Sequence, residues 1–340
     1  MRSVAIIGAS GYTGVELLRL CDAHPELSVT VATGDRRAGE PISRAFPSLA
    51  AAHGARTFDE FDGDAIRECD VIFICLPHEL SMRMVPEFVA PDRTVVDLSG
   101  AYRLRNPDAY VRWYGFVHQY PDLLARAAYG LPELDRASLR SAQLVATPGC
   151  YVTAATLALA PLVEGGWIAT EGVIVDAASG VSGAGAGVRD ESMFASVDSN
   201  VVAYGLLDHR HTPEIEQATG ASVLFTPHLV PMSRGILATC YAKPGVRRPD
   251  DSTDLLRVLA DAYAHEPFVV VDERPPATKS TLGSNAVHLS ARWDRRTETV
   301  VVLAALDNLG KGASGGAVQA ANVALGLDET LGLSRIGLVP

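Results

Sequence analysis

A cysteine at the head of a helix-like run, and a His-x-His pair further along, are the side chains best suited to covalent chemistry in this 340-residue chain. The segment Thr147-Pro148-Gly149-Cys150-Tyr151-Val152-Thr153 puts Cys150 after a strand-like stretch and a Pro-Gly turn, ahead of an Ala/Leu-rich run. A helix start favours a thiolate, because aligned peptide dipoles and unpaired N–H groups stabilise its charge. Cys69 and Cys75 flank or lie in an apolar strand, Cys240 ends another and Cys21 is late in the first helix, so these four read as buried small hydrophobes. Five cysteines without a CxxC pair suggest neither a disulfide framework nor a zinc site. His209 and His211 would share a face on an extended segment and diverge on a helix. Imidazole titrates near neutrality and suits proton transfer. Thr212-Pro213-Glu214 reads as the cap, first position and first turn of a helix, with both histidines just before it. The competing reading of His211 is a turn residue bonded to backbone. The pair also suits metal ligation, but no third ligand stands at characteristic spacing, so no metal is expected.

The second constellation is Gly8-Ala9-Ser10-Gly11-Tyr12-Thr13-Gly14, between the apolar run Val4–Ile7 and a helical pattern carrying Val15, Leu17, Leu18 and Leu20. Glycines let backbone approach a pyrophosphate, and the helix start offers it free N–H groups. The glycines are spaced three and three, unlike the commonest fingerprint, so a tight turn without ligand is the alternative. Position at the head of a parallel-sheet domain favours a dinucleotide. After the second strand, Thr33-Gly34-Asp35-Arg36-Arg37 offers an acid for a ribose hydroxyl and cations for a 2′-phosphate. The threonine and paired arginines favour NADP, with Arg36 the contact; the competing reading puts Arg37 on a solvated loop and makes Asp35 a cap of the turn.

The elements that must carry these groups follow from apolar patterning. Runs at Leu27–Thr33, Val71–Leu76 and Thr94–Leu98 alternate with helices and predict a parallel sheet covered on both faces, a doubly wound α/β domain. Beyond Cys150 come a small-residue helix (Tyr151–Ala160) and longer strands at Val223–Val230, Ile236–Ala242, Asn285–Trp293 and Thr299–Leu306, read as an antiparallel sheet. Gly312–Leu325 returns to helical spacing and is expected to pack on the first domain. The expected division is residues 1–147 with 309–340, a Rossmann-type cofactor domain, and residues 148–308, an α+β catalytic and oligomerisation domain. A sheet with one face uncovered would pair with another subunit, giving a homodimer or homotetramer.

Composition sets outer limits. With 48% hydrophobic and 20% charged residues the chain is expected to fold as more than one domain. A net charge of -11 argues against general nucleic-acid binding, which draws on clustered cations, yet allows small anionic substrates. No run of 18 uncharged apolar residues suggests a membrane span, and Met1-Arg2-Ser3 leads into a strand without a signal-like region, so a cytoplasmic protein is expected.

The stretch around Pro148-Gly149-Cys150-Tyr151-Val152-Thr153 resembles the active-site signature of the N-acetyl-γ-glutamyl-phosphate reductase family. That family is related to aspartate-semialdehyde dehydrogenases and similar in fold to glyceraldehyde-3-phosphate dehydrogenase, whose C-terminal domain the second domain should resemble. Gly8–Gly14, Leu98-Ser99-Gly100-Ala101-Tyr102-Arg103, Ser179–Gly185, His209-Arg210-His211-Thr212-Pro213-Glu214 and Asn308-Leu309-Gly310-Lys311-Gly312-Ala313 resemble its motifs in the same order, across nearly the whole chain. The resemblance implies NADPH-dependent reduction of an acyl phosphate to an aldehyde through a thioester on Cys150. It favours His209 as acid/base, with Arg210, His211, Glu214 and Ser179 at the substrate or positioning the site, and Arg103 on the phosphate. Arg103 otherwise reads as a surface salt bridge to Asp97 or Asp108. Gly8, Ser10, Gly11, Tyr12, Thr13, Gly14, Thr33, Arg36, Gly183, Asn308 and Lys311 are implied at the cofactor. Enzymes of the same chemistry acting on aspartyl phosphate or on N-acetylated aminoadipyl phosphate are the nearest rivals. A non-catalytic cofactor-binding regulator is disfavoured by Cys150 with His209 and His211 intact. A Cys150→Ser variant should lose activity by at least about 10³-fold in steady-state assays; full activity would exclude the covalent route.

Overall fold

Buried residues alternate between two faces along the first strands, and that alternation decides the architecture. The computed structural model describes residues 1–187, 190 and 193–339. The first unit comprises Met1–Pro148 and Ala313–Leu333, the second Gly149–Gly312 with the residues from Ser334 onward.

In the first unit, strands β1 (Arg2–Ile7), β2 (Leu27–Ala32), β3 (Val71–Ile74), β4 (Thr94–Asp97), β5 (Ala128–Tyr129) and β6 (Leu144–Ala146) form one sheet in the order β2-β1-β3-β4-β6-β5. All its pairings are parallel. Val4, Ile6, Val71 and Phe73 pack on one face with Ala317, Val318, Ala320 and Ala321 of the helix Gly315–Ala324. Ala5, Ile7, Ile72 and Ile74 pack on the other with Met82, Tyr102 and Tyr110. Burial on both faces is why these strands read as unbroken apolar runs. The chain runs from β1 to β2 on one side and then crosses to β3 on the other, so the crevice at the carboxyl ends of β1 and β3 is the ligand-binding position of such sheets.

The second unit holds β7 (Val173–Gly180), β8 (Val202–Ala203), β9 (Val223–Val230), β10 (Ile236–Ala242), β11 (Val269–Val271), β12 (Val287–Asp294) and β13 (Thr299–Leu306), in the order β11-β12-β13-β10-β7-β9-β8. This sheet is mixed rather than antiparallel: β7 pairs with β9, and β11 with β12, in parallel. The reason lies in the connection, since the segment joining β7 to β9 carries the helix Thr212–Thr219 and is long enough for a crossover. Val175, Ala238, Cys240 and Val302 are buried on the face that meets the helices Cys150–Glu164 and Ser252–Ala262. On the opposite face Leu224, Ile174, Tyr241 and Val301 are neighbours across four strands. Leu224 is 48% exposed and Ile174 38%, so this apolar row is not covered by the chain itself.

The chain end departs from the expected division. Residues 309–312 and those from Ser334 onward group with the second unit. Ser334 accepts the Asn285 amide at 2.8 Å, and the Leu338 amide donates to Leu282 at 2.8 Å, which ties this tail down.

Candidate active site

Cys150 is the first residue of the helix Cys150–Glu164, preceded by Gly149 in extended conformation with no side-chain cap. The thiol is half-buried. Its surroundings are set by two glycines. A Cβ on Gly149 would collide with the His211 imidazole, and one on Gly312 would lie 2.8 Å from the Cys150 Cβ. The Gly149 amide donates to the Glu214 carboxylate at 3.1 Å, and Glu214 is fully buried. His211 and Glu214 therefore grip the residue before Cys150, one by contact and one by hydrogen bond. His211 itself takes the cap position of Thr212–Thr219, so Thr212 is the first helical residue rather than the cap.

His209 stands 4.7 Å from His211 between ring centroids, in a turn rather than on an extended segment. Its Nδ1 accepts the His211 backbone N–H at 3.1 Å. In the neutral ring that leaves the proton on Nε2. Burial first, and then the neighbouring Arg210 charge, lower its pKa to about 4. Near neutrality His209 is thus an uncharged N–H donor. Tyr151, edge-on to both histidines, Phe225 at 5.2 Å and Tyr204 at 5.6 Å from His209 complete an aromatic wall. The Tyr204 hydroxyl donates to that of Tyr151 at 3.2 Å, which in turn donates to the His228 carbonyl. None of these three rings was among the expected site residues. Tyr151 had a signal, adjacency to Cys150, whereas Tyr204 and Phe225 are brought in only by folding.

Other expected contacts in this unit are engaged within the protein. Ser179 is 1% exposed and donates to the Gly180 carbonyl. Asn308 accepts the Gly235 amide at 2.7 Å and donates to the Ser182 hydroxyl at 2.9 Å, strapping two loops together; Gly183 lies in the loop so held. Lys311 is buried, its ammonium 5.8 Å from the Phe268 ring centre.

In the first unit the glycine turn is conformationally demanding. Gly8 has φ +85°, and a Cβ there would lie 2.7 Å from the Cys75 carbonyl; at Gly14 a Cβ would run into the Gly8 and Ala9 backbone. Gly11 meets no such limit and is the N-cap of the helix Tyr12–Asp22, which has no side-chain cap, leaving amides at Tyr12 and Thr13 for an anion. Thr33 is buried and its hydroxyl accepts the Gly8 amide at 3.0 Å, so it braces the turn from behind. Ser10 similarly donates to the Gly34 carbonyl. Arg37 pairs with Glu40 and lies over Phe46, whereas Arg36 is exposed and has no ion-pair partner among the described residues. The cradle and the available cation fit a phosphorylated dinucleotide.

Arg103 is buried rather than a surface ion pair. Its Nε donates to the Thr147 carbonyl at 2.6 Å and an Nη to that of Leu98 at 2.9 Å. Asp97 beneath it accepts from Ser81 and Ser99, while burial pushes its carboxyl pKa up. Burial likewise raises the thiols of Cys21, Cys75 and Cys240 to about 12, so these stay protonated and inert. Among the described residues no group of acidic, His and Cys side chains could hold a metal, and no helix is long and apolar enough to cross a membrane.

Residues 3–142 match the family described as semialdehyde dehydrogenase, NAD binding domain, and residues 150–308 the semialdehyde dehydrogenase, dimerisation domain. Among curated relatives, the N-acetyl-gamma-glutamyl-phosphate reductase of Geobacter sulfurreducens is 44% identical over 350 residues, covering 100% of both chains. That of Symbiobacterium thermophilum is 46% identical over 347 residues, covering 99% of this chain and 98% of its own. An aspartate semialdehyde dehydrogenase with NADP from Candida albicans superposes with TM-score 0.72 at 16% identity, covering 95% of this chain and 98% of that one. The aspartate semialdehyde dehydrogenase II complexed with ASA from Vibrio cholerae gives 0.69 at 18% identity, with the same coverage. At these identities the two structures speak to the fold.

Three outcomes follow from this geometry. His209 should remain neutral with its proton on Nε2 down to about pH 4, read from imidazole ¹⁵N shifts; titration at its ordinary 6.5 would contradict the burial argument. Because the unfolded chain takes up that proton near pH 6.5 and the folded one does not, stability should decline as pH falls from 6.5 to about 4. Gly149→Ala should displace His211 and lower kcat on the order of 10²-fold with the fold intact by circular dichroism.

Proposed function

The chain belongs to the N-acetyl-gamma-glutamyl-phosphate reductases within the semialdehyde dehydrogenase family, and from this we infer that it reduces N-acetyl-γ-glutamyl phosphate to N-acetylglutamate 5-semialdehyde and phosphate. The observation that carries the residue assignments is Cys150 at an uncapped helix start, with His211 packed on the residue before it.

The Cys150 thiolate attacks the acyl carbon, the bond from that carbon to the phosphate oxygen breaks, and phosphate leaves with the electron pair. His211 takes the thiol proton and returns it to the departing phosphate. Acid/base work thus passes from His209, favoured by resemblance, to His211, because the His209 Nδ1 is occupied and its ring stays neutral. His209 acts instead as a fixed donor to the carbonyl oxygen as charge builds there. NADPH, when bound, supplies the hydride that reduces the thioester carbon. The resulting thiohemiacetal expels the Cys150 thiolate as the aldehyde forms. Arg103 holds the phosphate, a task that suits its planar guanidinium fork. Gly8, Gly11, Gly14, Tyr12 and Thr13 receive the pyrophosphate, and Arg36 the 2′-phosphate. Arg210 and Ser179 lie toward the substrate, while Asn308, Gly183 and Lys311 support the nicotinamide end. We place the reaction in arginine biosynthesis in the cytoplasm, and assign the uncovered row Leu224–Ile174–Tyr241–Val301 to a homodimer or homotetramer contact, measurable by light scattering.

The reverse reaction tests the assignment. N-acetylglutamate semialdehyde with phosphate should reduce NADP faster than aspartate semialdehyde or N-acetylaminoadipate semialdehyde does; preference for either rival overturns the substrate. Arg36→Ala should raise KM for NADP about tenfold and leave KM for NAD nearly unchanged.

A further inference from the structure

The loop that follows β4 is buried but irregular: residues 99–104 are all buried, with no strand or helix to satisfy their backbone. Buried backbone groups need partners, and here side chains supply them. The Ser99 amide donates to Asp97 at 3.0 Å, and the Ala101 amide to the Ser99 hydroxyl at 3.0 Å. The Ala101 carbonyl accepts from His118 Nε2 at 2.9 Å, and the Leu104 amide donates to the Tyr110 hydroxyl at 3.0 Å. The Gly100 amide is held differently, by His78 Nδ1 at 2.8 Å, and His78 belongs to the segment after β3. Gly100 can carry no side chain because the Tyr114 ring fills that space, and the same ring packs edge-on to His78 at 5.2 Å.

We propose that His78 is a positioning residue for the phosphate subsite, fixing through the Gly100 amide the loop that delivers Arg103. The proposal rests on the reading of Arg103 as the phosphate ligand. His78 does not touch phosphate; with the Met82 carbonyl, which accepts the Tyr102 hydroxyl at 2.8 Å, it is one of two acceptors by which the segment after β3 holds the loop after β4, and the one that holds its backbone. Without it, the Gly100 amide must find another partner, and the backbone shift needed displaces the guanidinium three residues on. Asparagine places an oxygen the same number of bonds from Cα as Nδ1, whereas glutamine places it one bond further and leucine offers none.

The test measures KM for inorganic phosphate and kcat in the semialdehyde-oxidising direction, with thermal melting of each variant. His78→Leu and His78→Gln should raise phosphate KM about tenfold while kcat and KM for NADP stay within about threefold, and His78→Asn should stay within about threefold of the parent throughout. If the leucine variant fails to fold, the contrast between Asn and Gln decides alone. Equal phosphate KM in the Asn and Gln variants, or a loss confined to kcat, overturns the proposal. Arg103→Lys separates the two readings, since it keeps the charge and loses the fork. A raised phosphate KM in Arg103→Lys with no change in His78→Gln sinks the His78 role alone. An unchanged phosphate KM in Arg103→Lys removes the phosphate subsite itself, and the proposal with it.

Discussion

The Gly149 amide donating to the buried Glu214 carboxylate is the contact on which the surroundings of Cys150 depend. It ties the start of the helix bearing Cys150 to the helix Thr212–Thr219, which comes from a crossover between parallel strands. Glu214 is fully buried, where a polar side chain needs hydrogen-bond partners, and the Gly149 amide is one of them. The same geometry brings the His211 ring onto the Gly149 backbone, where any side chain would intrude. One donor and one missing Cβ thereby determine which imidazole packs on the residue before Cys150.

The two histidines, near neighbours in sequence, are chemically different for a local reason. His209 receives the backbone amide of His211, sits among aromatic rings and stands beside the Arg210 charge. It is kept neutral and in one tautomer. An uncharged donor held in place is useful where negative charge develops on an oxygen, and it costs no proton transfer at that moment. The fixed tautomer and neutral charge of His209 thus follow from one hydrogen bond and from burial.

In the first unit, irregular buried loops at the strand ends play the corresponding part. Thr33 braces the glycine turn, and Asp97, His78, His118 and Tyr110 each satisfy a backbone group in the segment leading to and past Arg103. Arg103 itself joins the carbonyls of Leu98 and Thr147. Such loops keep a set shape because leaving their polar groups without partners would be costly. The conformation is written in side chains scattered over many positions, which is why no local pattern announced it.

The sequence by itself determined the doubly wound sheet, the glycine turn and the cysteine at a helix start. Each depends on near neighbours: apolar runs, φ-permissive glycines and a Pro-Gly break that ends one element and opens the next. It missed the two parallel pairings of the otherwise antiparallel second sheet, because period-two patterning reports which faces are buried and is silent on direction. Only the tertiary structure decided that β7 and β9 run parallel, that Tyr204 and Phe225 join Tyr151 around His209, and that Asn308 bridges two loops. It also made Arg103 a buried anchor rather than a surface ion pair. These are contacts between residues far apart in the chain, and their energies depend on burial and distance, quantities that come into being when the chain folds.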